Sequence, residues 1–569
     1  MNTRPTTSTS APVPQTSGRF HALLETALIF VVIFIQGAWP VPDVNEPYYL
    51  TKTIHFWNPD WFGHDFFLDS ADTHTVFYFT FGWLTLFLSP LIVAWVGRLL
   101  TWSLLAWSWR RLSMAVVPGR WWSILTAAIF LCLLDRCHMA GEWVVGGVEA
   151  KGFAYVLVFL GLENLAKNRW NFVWLCFGAA SLFHVLVGGW SVVAGGFAWM
   201  MAGSSRPKFR TMWPGLLAGG LLSLPALIPS IRLTWGIDAE IVSQANLVYV
   251  FQRLGHHLNP AVFPTWFITR FSLLSGLWFF IWVTTLRVEK MGTDAICQNT
   301  PDDASEEYFP TPFPAGGHRL QSFVAGSLII AAIGAVIGFV GRNDPSWAAG
   351  LLRFYWFRLA DVAVPLGVAL GGCSLILLAL QKRPMVGRRW LALAIFIVAV
   401  HFGNLAVLRP VPGVPRADRL AHYECWRHAC EWVADPQNIP PGVRFLTPKM
   451  SQTFKWYTGH SEVINWKDIP QDAESIVEWW QIMCDIHHNP DGMPLHPWHR
   501  SLASQGEQRL EELGTKYGAD YVITKSRPRL NLPVVYKNPA YIIYRLKNNG
   551  SDEKQRRPGH TSAQPQRGD

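Results

Sequence analysis

Charged residues stand beside long apolar runs of this chain, where they can act together at a membrane surface. Two carboxylates, Asp43 and Glu46, follow the first apolar run within a few residues. A carboxylate in that position lies beside lipid head groups and can accept a proton from a bound molecule. Arginines and lysines from other connections can bind a lipid phosphate, arginine through two parallel hydrogen bonds. One acid and several cations at a lipid–water boundary are the arrangement needed to break a phosphate ester linked to a lipid.

Other connections between apolar runs carry the cations and acids that complete this set. One short connection, residues 135–151, holds both acidic and basic residues, and a later connection holds further arginines. Such residues at the ends of membrane helices are costly unless they pair, face water or bind something. The candidates from these two connections are Arg136, Glu142, Glu149, Lys151, Arg353 and Arg358.

The composition is that of a membrane protein. Only 15% of the 569 residues are charged, whereas roughly 25% is usual for a soluble protein, and 50% are apolar. The 30 Trp and 35 Phe residues strengthen the same conclusion. This apolar content excludes a disordered protein, and the glycines show no collagen-like triplet period.

The net charge of +9 does not indicate nucleic-acid binding, because the basic residues fall in short connections between apolar runs. This distribution is typical of the cytoplasmic loops of multi-pass membrane proteins.

The eight cysteines form no CxxC motif, which argues against a zinc ribbon. Cys425 and Cys430 lie in one segment, and a disulfide between them in an exported part of the chain remains open.

Apolar segments near the ~20 residues that cross a bilayer recur along the first 409 residues. One apolar block, residues 76–109, could cross the bilayer once or twice. A single crossing, preceded by a surface helix at 76–88, places every basic connection on the same side of the membrane, so we choose the single crossing. The sequence thus predicts about eleven transmembrane helices, a cytoplasmic N-terminus and an extracytoplasmic C-terminal part. The segments are 21–39, 76–109, 121–134, 152–165, 171–183, 185–201, 212–228, 266–286, 321–340, 361–380 and 390–408.

The rest of the chain divides by composition. Residues 1–18 are rich in Thr, Ser and Pro and predict a disordered cytoplasmic leader, and the transmembrane domain covers 19–409. Residues 410–547 have a soluble composition with alternating helix-like and strand-like runs, which predicts a small exported α/β domain. The polar tail, 548–569, is predicted to be disordered.

The loop Asp43-Val44-Asn45-Glu46-Pro47-Tyr48-Tyr49-Leu50 resembles the opening loop of GT-C class glycosyltransferases. That group uses polyprenyl-phosphate sugars and includes protein O-mannosyltransferases and aminoarabinose transferases. The resemblance extends to Glu149-Ala150-Lys151-Gly152, to the helix end at Leu182-Phe183-His184, and to the order of membrane and soluble parts. In the closest register Asn45 stands where the family has an Asp, so Glu46 or the displaced Asp43 has to take the place of the base.

The resemblance implies a bacterial inner-membrane enzyme that transfers a sugar from a polyprenyl-phosphate carrier to an acceptor at the outer face. Glu46 or Asp43 is then the general base of an inverting reaction. Tyr49, Glu142, Glu149 and His184 belong to the substrate site, and the phosphate ligands are Arg136, Lys151, Arg353 and Arg358. Some family members use a divalent metal, for which Asp43, Glu46 and Glu142 offer oxygen ligands, but the cofactor is left open.

Simpler interpretations of the same residues remain open. Asp43 and Glu46 have the spacing of a helix capping box. Arg353 and Arg358 flank aromatic residues, which is typical of an interfacial belt, and His184 fits an interfacial histidine. The histidine-rich stretch after Cys484 matches no metal-binding template and is interpreted as a surface loop. The alternative functions are a transporter or flippase and a non-catalytic scaffold with an exported binding domain.

Overall fold

The computed structural model describes residues 15–298, 315–408, 413–492 and 497–547. It consists of a helical bundle followed by a small unit with one sheet. The α-helices of the bundle are α1 (Gln15–Gly37), α2 (Glu46–Trp57), α3 (Phe66–Asp69), α4 (Thr75–Phe81), α5 (Pro90–Val116), α6 (Trp122–Arg136), α7 (Ala150–Ala166), α8 (Trp170–Phe183), α9 (Val185–Met200), α10 (Phe209–Arg232), α11 (Ala239–Leu247), α12 (Gly255–Leu258), α13 (Thr265–Gln298), α14 (Ala315–Val340), α15 (Pro345–Leu352), α16 (Arg358–Lys382) and α17 (Pro384–Leu408).

Seven of these helices are long and apolar enough to cross a membrane, namely α1, α5, α10, α13, α14, α16 and α17. The chain is therefore a multi-pass membrane protein. The other four predicted segments are also helical, as α6 to α9, but these helices have only 14 to 17 residues. Eleven crossings thus stay a prediction.

The ambiguous block at residues 76–109 divides into a short helix and a long one. α4 continues into a 3-10 turn, Gly82–Leu86, and α5 begins at Pro90 and runs for 27 residues. Proline at the first position of a helix loses no hydrogen bond, and its fixed φ favours the start of the helix. Only α5 is long enough to cross, which agrees with the single crossing expected from the sequence.

The two ends of the chain extend beyond what the structure describes. The predicted leader, 1–18, overlaps α1, which begins at Gln15, so its last residues are helical rather than disordered. Its residues 1–14 and the whole predicted tail, 548–569, lie outside the described residues.

Helices α8 and α9 are joined by a single residue that belongs to the site. α8 ends at Phe183 and α9 begins at Val185, so His184 alone connects them, in an extended conformation with φ −150°. A glycine contact holds α8 against α10, because a Cβ on Gly178 would lie 2.2 Å from the carbonyl oxygen of Gly219. Close helix packing through small residues is common in membrane proteins.

The C-terminal unit is a five-stranded mixed sheet with helices packed against it. Its sheet has the order β2-β1-β3-β5-β4, with β1 parallel to β2 and β3 and the remaining pairs antiparallel. Its elements are α18 (Tyr423–Ala434), β1 (Arg444–Leu446), α19 (Phe454–Thr458), β2 (Ser461–Glu462), α20 (Ala473–His487), α21 (Glu507–Tyr517), β3 (Tyr521–Lys525), β4 (Val534–Lys537) and β5 (Tyr541–Arg545).

A buried group of charges fastens this unit to the bundle. The Nζ atom of Lys455 lies 2.8 Å from Asp468, 3.1 Å from Glu462 and 3.6 Å from Asp65, which belongs to the loop before α3. All four side chains are nearly inaccessible to solvent. Mutual pairing is what makes such burial of charge tolerable. The C-terminal unit therefore covers the end of the bundle where α2, α7, α9 and α16 begin.

Candidate functional site

A cavity of about 610 Å³ lies between the covered end of the bundle and the C-terminal unit. Seven segments that are far apart in the sequence line it. They are the start of α2 with the loop before α4, the connection before α7, the α8–α9 junction, the end of α10, residues 249–257, residues 353–358 and residues 467–471.

The structure brings together most of the residues that the sequence proposed for substrate binding. Tyr49, Glu142, Glu149, Lys151, His184, Arg353 and Arg358 all line this cavity. Arg136 does not, since it ends α6, lies 3.3 Å from the carboxylate of Asp135 and is 45% exposed.

Two carboxylates and two cations form a connected group in the wall of the cavity. Glu142 forms ion pairs with Lys151, whose Nζ lies 3.3 Å away, and with Arg358, whose Nε lies 2.9 Å away. Glu149 lies 3.6 Å from Lys151 Nζ and accepts hydrogen bonds from Asn45 (2.9 Å) and the indole of Trp143 (2.8 Å). Lys151 Nζ also sits 3.6 Å from the centroid of the Trp143 ring. These contacts fix both cations, which lowers the entropy lost when a ligand binds them.

Arg358 links this group to the α8–α9 junction. Its NH1 donates a 2.9 Å hydrogen bond to Nε2 of His184, and its guanidinium stacks 3.9 Å from the ring centroid of Tyr355. Asp361, one turn further along α16, accepts hydrogen bonds from the backbone N–H groups of Met139 (2.7 Å) and Ala140 (2.9 Å). The start of α16 thereby holds the connection that carries Glu142.

Three further cations face the cavity, and two of them were not among the sequence candidates. Arg353 donates a 2.6 Å hydrogen bond to Asn246, and Arg253 donates one of 2.7 Å to the carbonyl oxygen of Trp466. Burial, with Arg253 nearby, lowers the pKa of Lys467 to about 7. The cavity thus gathers five basic side chains against two carboxylates, an arrangement that favours an anionic ligand.

The two carboxylates predicted to be catalytic lie outside the cavity lining. Glu46 is fully buried, and its two oxygens accept 2.6 Å hydrogen bonds from Nε and NH2 of Arg98. They also accept from the backbone N–H groups of Asp43 (2.7 Å) and Val148 (2.9 Å). A carboxylate saturated in this way cannot reach a substrate in the cavity, so the geometry does not support Glu46 as a general base.

The carboxylate of Asp43 is likewise occupied by hydrogen bonds from an arginine and from the backbone. Arg416 donates two hydrogen bonds to it, of 2.7 and 2.6 Å, and the backbone N–H of Gly147 donates one of 2.8 Å. Burial alone would raise the pKa of Asp43, but Arg416 and then Arg98 hold it below its usual value. The bond from Asp43 N–H to Glu46 has the spacing of a capping box, but α2 begins at Glu46 with Asn45 as its N-cap, so this bond closes the loop before the helix instead. Both acids therefore join the first loop to the connection at 147–149 and position Glu149.

Each carboxylate proposed for a divalent metal is already paired with one or more cations. Asp43 pairs with Arg416, Glu46 with Arg98, and Glu142 with Lys151 and Arg358. Among the described parts of the chain, no three His, Cys, Asp or Glu side chains come together as a metal site. Cys484, His487, His488 and His499 belong to these parts, whereas His496 lies outside the described residues. The donor set of Asp43, Glu46 and Glu142 does not fit a metal.

Sequence reasoning missed Arg253 and Lys467 for different reasons. Arg253 belongs to the connection between α10 and α13, which the predicted topology puts on the same side as the first loop, so the same reasoning applied to that connection would have found it. Lys467 enters the cavity because the C-terminal unit docks on the bundle, and no local sequence signal predicts that contact.

Comparisons with known proteins add little to this geometry. Residues 424–486 match a family model described as a domain of unknown function, DUF6798. No curated protein matches the chain.

The solved structures with similarity include the oligosaccharyltransferase of Archaeoglobus fulgidus in a crystal structure of its complex with Zn and sulfate. That alignment covers 89% of this chain and 68% of the other, with 11% identity and a TM-score of 0.35. A second is the archaeal oligosaccharyltransferase AglB from Archaeoglobus fulgidus with an inhibitory peptide and a dolichol-phosphate. It aligns over 90% of this chain and 70% of the other, with 13% identity and a TM-score of 0.36.

Proposed function

We propose that this protein is a membrane glycosyltransferase of the GT-C type that moves a sugar from a polyprenyl-phosphate carrier to an acceptor. The observation that carries the proposal is the cavity with five basic side chains, set at the end of a bundle of membrane helices. A phosphate that links a sugar to a lipid needs both features, because its lipid stays in the membrane while its charge needs cations.

The walls of the cavity match a ligand that is polar at one end and apolar at the other. Leu227, Ile231 and Trp235 form an apolar edge at the end of α10, and Trp235 is 77% exposed. Exposed tryptophans at helix ends are typical of the membrane interface. A polyprenyl chain can leave the cavity along this edge into the lipid, while its phosphate stays among the basic side chains.

The cations have a specific task in such a transfer. Negative charge develops on the phosphate as its bond to the sugar breaks, and fixed cations stabilise that charge without having to reorganise. Arg358 and Lys151 are already held in place by Glu142 and Glu149. Arg253, Arg353 and Lys467 add further positive charge to the cavity wall.

The position of the charges favours an enzyme over a transporter. Transporters usually hold their ionisable groups near the middle of the membrane, between repeated halves with broken helices. Here the basic side chains lie at helix ends and in connections. With the sidedness predicted from the basic loops, this end of the bundle is the outer face of a bacterial cytoplasmic membrane.

The experiment compares two arginines from the same connection in the purified full-length protein. Arg353→Met removes a cation from the cavity, and Arg342→Met removes an exposed arginine that does not line it. For each variant we measure binding of polyprenyl phosphate. We also measure its release from a panel of synthetic polyprenyl-phosphate hexoses, with an alkyl glycoside or an asparagine peptide as the acceptor of the sugar.

The proposal predicts that the wild-type protein binds polyprenyl phosphate and turns over a donor of the panel. Arg353→Met should weaken binding roughly tenfold, since it removes one charge-assisted contact. Arg342→Met should behave like the wild type. Equal binding by all three proteins, or turnover of no donor, would overturn the proposal.

A further inference from the structure

Three imidazoles line the cavity, those of His74, His184 and His257, and they differ in what they contact. Nε2 of His184 receives a hydrogen bond from Arg358, so it is not available to accept a proton. Nδ1 of His257 lies 2.5 Å from the carbonyl oxygen of Ala140, and burial together with His256 holds the pKa of His257 well below its usual range. His74 alone of the three contacts a carboxylate, that of Asp72.

Asp72 fixes the orientation of the His74 ring. Its Oδ1 atom lies 2.9 Å from Nδ1 of His74 and accepts a 2.6 Å hydrogen bond from the backbone N–H of the same residue. Its Oδ2 atom accepts a 2.7 Å hydrogen bond from the hydroxyl of Tyr78. Burial raises the pKa of Asp72, but His74, Lys52 and Tyr78 together bring it well below the usual value. The carboxylate stays ionised and can only accept, so the ring carries its proton on Nδ1.

The opposite nitrogen of the ring is the one that remains for a ligand. The amide nitrogen of Gln471 lies 3.1 Å from Nδ1, but it is itself a donor, so with the ring proton on Nδ1 directed at Asp72 this contact is not a hydrogen bond. Nε2 has no hydrogen-bond partner in the part of the chain that the structure describes. The ring packs edge-on against Tyr49, with 5.0 Å between centroids, and the side chain of His74 is 11% exposed. His74 thus offers an oriented lone pair at the edge of the cavity.

The two carboxylates of the cavity are less suited to accept a proton. Glu142 contacts both Lys151 and Arg358, and Glu149 accepts hydrogen bonds from Asn45 and Trp143. A carboxylate held in such contacts would have to give up an ion pair or a hydrogen bond in order to take a proton. A carboxylate behind an imidazole has the reverse effect on the ring, because it stabilises the imidazolium that forms when the ring takes a proton.

On the basis of the proposed function, we propose that His74 is the catalytic base of the transfer, that Asp72 positions it, and that the acceptor is a hydroxyl group. The acceptor oxygen forms a bond to the anomeric carbon while the bond from that carbon to the phosphate oxygen breaks. The bonding electron pair leaves with the phosphate, whose charge the basic side chains stabilise, and the hydroxyl proton moves to Nε2 of His74. A hydroxyl needs only this proton removal, whereas the nitrogen lone pair of an amide is delocalised into its carbonyl.

The test replaces His74 in the full-length protein and separates donor binding from turnover. His74→Gln is compared with His64→Gln, a histidine of the same loop whose side chain is 97% exposed. Polyprenyl phosphate is the binding probe. Turnover is the release of polyprenyl phosphate from the polyprenyl-phosphate hexose panel, with an alkyl glycoside or an asparagine peptide as acceptor.

The inference predicts that His74→Gln binds polyprenyl phosphate like the wild type and loses about 10²- to 10⁴-fold in kcat. His64→Gln should keep full turnover. Added imidazole should restore part of the turnover of His74→Ala, and Asp72→Asn should lower kcat without changing the donor KM. A merely structural role for His74 predicts no rescue by imidazole.

Three other outcomes would each refute one part of the proposal: the base, the acceptor or the proposed function. Turnover of His74→Gln within threefold of the wild type would refute the base while leaving the proposed function intact. Transfer to the asparagine peptide but not to the glycoside would refute the hydroxyl acceptor. A wild-type protein that binds no polyprenyl phosphate and turns over no donor would refute the proposed function and this inference with it.

Discussion

The buried pair of Glu46 and Arg98 gives a direct way to separate a structural carboxylate from a catalytic one. Glu46→Gln keeps the shape of the side chain but leaves the guanidinium of Arg98 fully buried without a counter-charge. Breaking a buried pair by removing one partner typically costs about 3–5 kcal/mol. In a chain of 569 residues, that loss lowers the midpoint of thermal unfolding by roughly 3–4 °C.

The double variant E46Q/R98M completes the comparison, because it also removes the uncompensated charge. We expect its unfolding midpoint to lie above that of Glu46→Gln, since replacing both partners is less costly than removing one. The assay follows tryptophan fluorescence on heating and measures donor turnover well below the midpoint. Glu474→Gln, an exposed acid in the first turn of α20, is the matched control and should change neither quantity.

The catalytic interpretation of Glu46 makes the opposite prediction for turnover. If Glu46 were the general base, both variants would lose about 10²- to 10⁴-fold in kcat, whatever their stability. If it is structural, both keep turnover within about tenfold of the wild type per folded molecule. A double variant that regains stability and still loses more than about 100-fold in kcat would refute the structural role of Glu46.

Two further predictions concern the lysines Lys467 and Lys455. Lys467 has a pKa lowered to about 7, so it is protonated below that pH, and its affinity for an anion falls as the pH rises through it. Binding of a lipid phosphodiester, which keeps one negative charge throughout, should weaken roughly tenfold between pH 6 and 8.5. Lys467→Met should flatten this slope, and an unchanged slope would contradict the assignment. Lys455→Met leaves Asp65, Glu462 and Asp468 buried without their cation and should destabilise the attachment of the C-terminal unit by about 3–5 kcal/mol. Limited proteolysis should then release that unit. The control Lys516→Met changes a side chain that is 59% exposed and should stay as resistant as the wild type. Equal resistance of both variants would contradict the role of Lys455.

Much of the architecture could be predicted because hydrophobic patterns report directly on membrane helices. The block at 76–109 is an example, since Ser89 and Pro90 mark the start of α5. In the C-terminal unit, the helix-like and strand-like runs expected between 410 and 547 correspond to helices such as α21 and to the strands β1, β3 and β5. It gave no sign of β2, which has two residues, or of β4, whose exposed residues lack an alternating pattern.

The candidate site was predictable to the extent that it depends on topology. Placing several connections on one side of the membrane was enough to suggest Glu142, Lys151 and Arg358, which the structure brings to one cavity. The role of Glu46 could not be judged in the same way, because its partner Arg98 lies 52 residues away within an apolar run. The contact of His74 with Asp72 is local, but only the tertiary structure turns that ring toward the cavity.

The most direct test of the proposed function is a structure of the full-length protein in a lipid nanodisc with polyprenyl phosphate bound. We predict that the phosphate lies within hydrogen-bonding distance of Arg353, Arg358 or Lys467, and that the polyprenyl chain leaves the cavity past Ile231 and Trp235. A phosphate bound elsewhere on the protein, with this cavity occupied by water alone, would contradict the central claim.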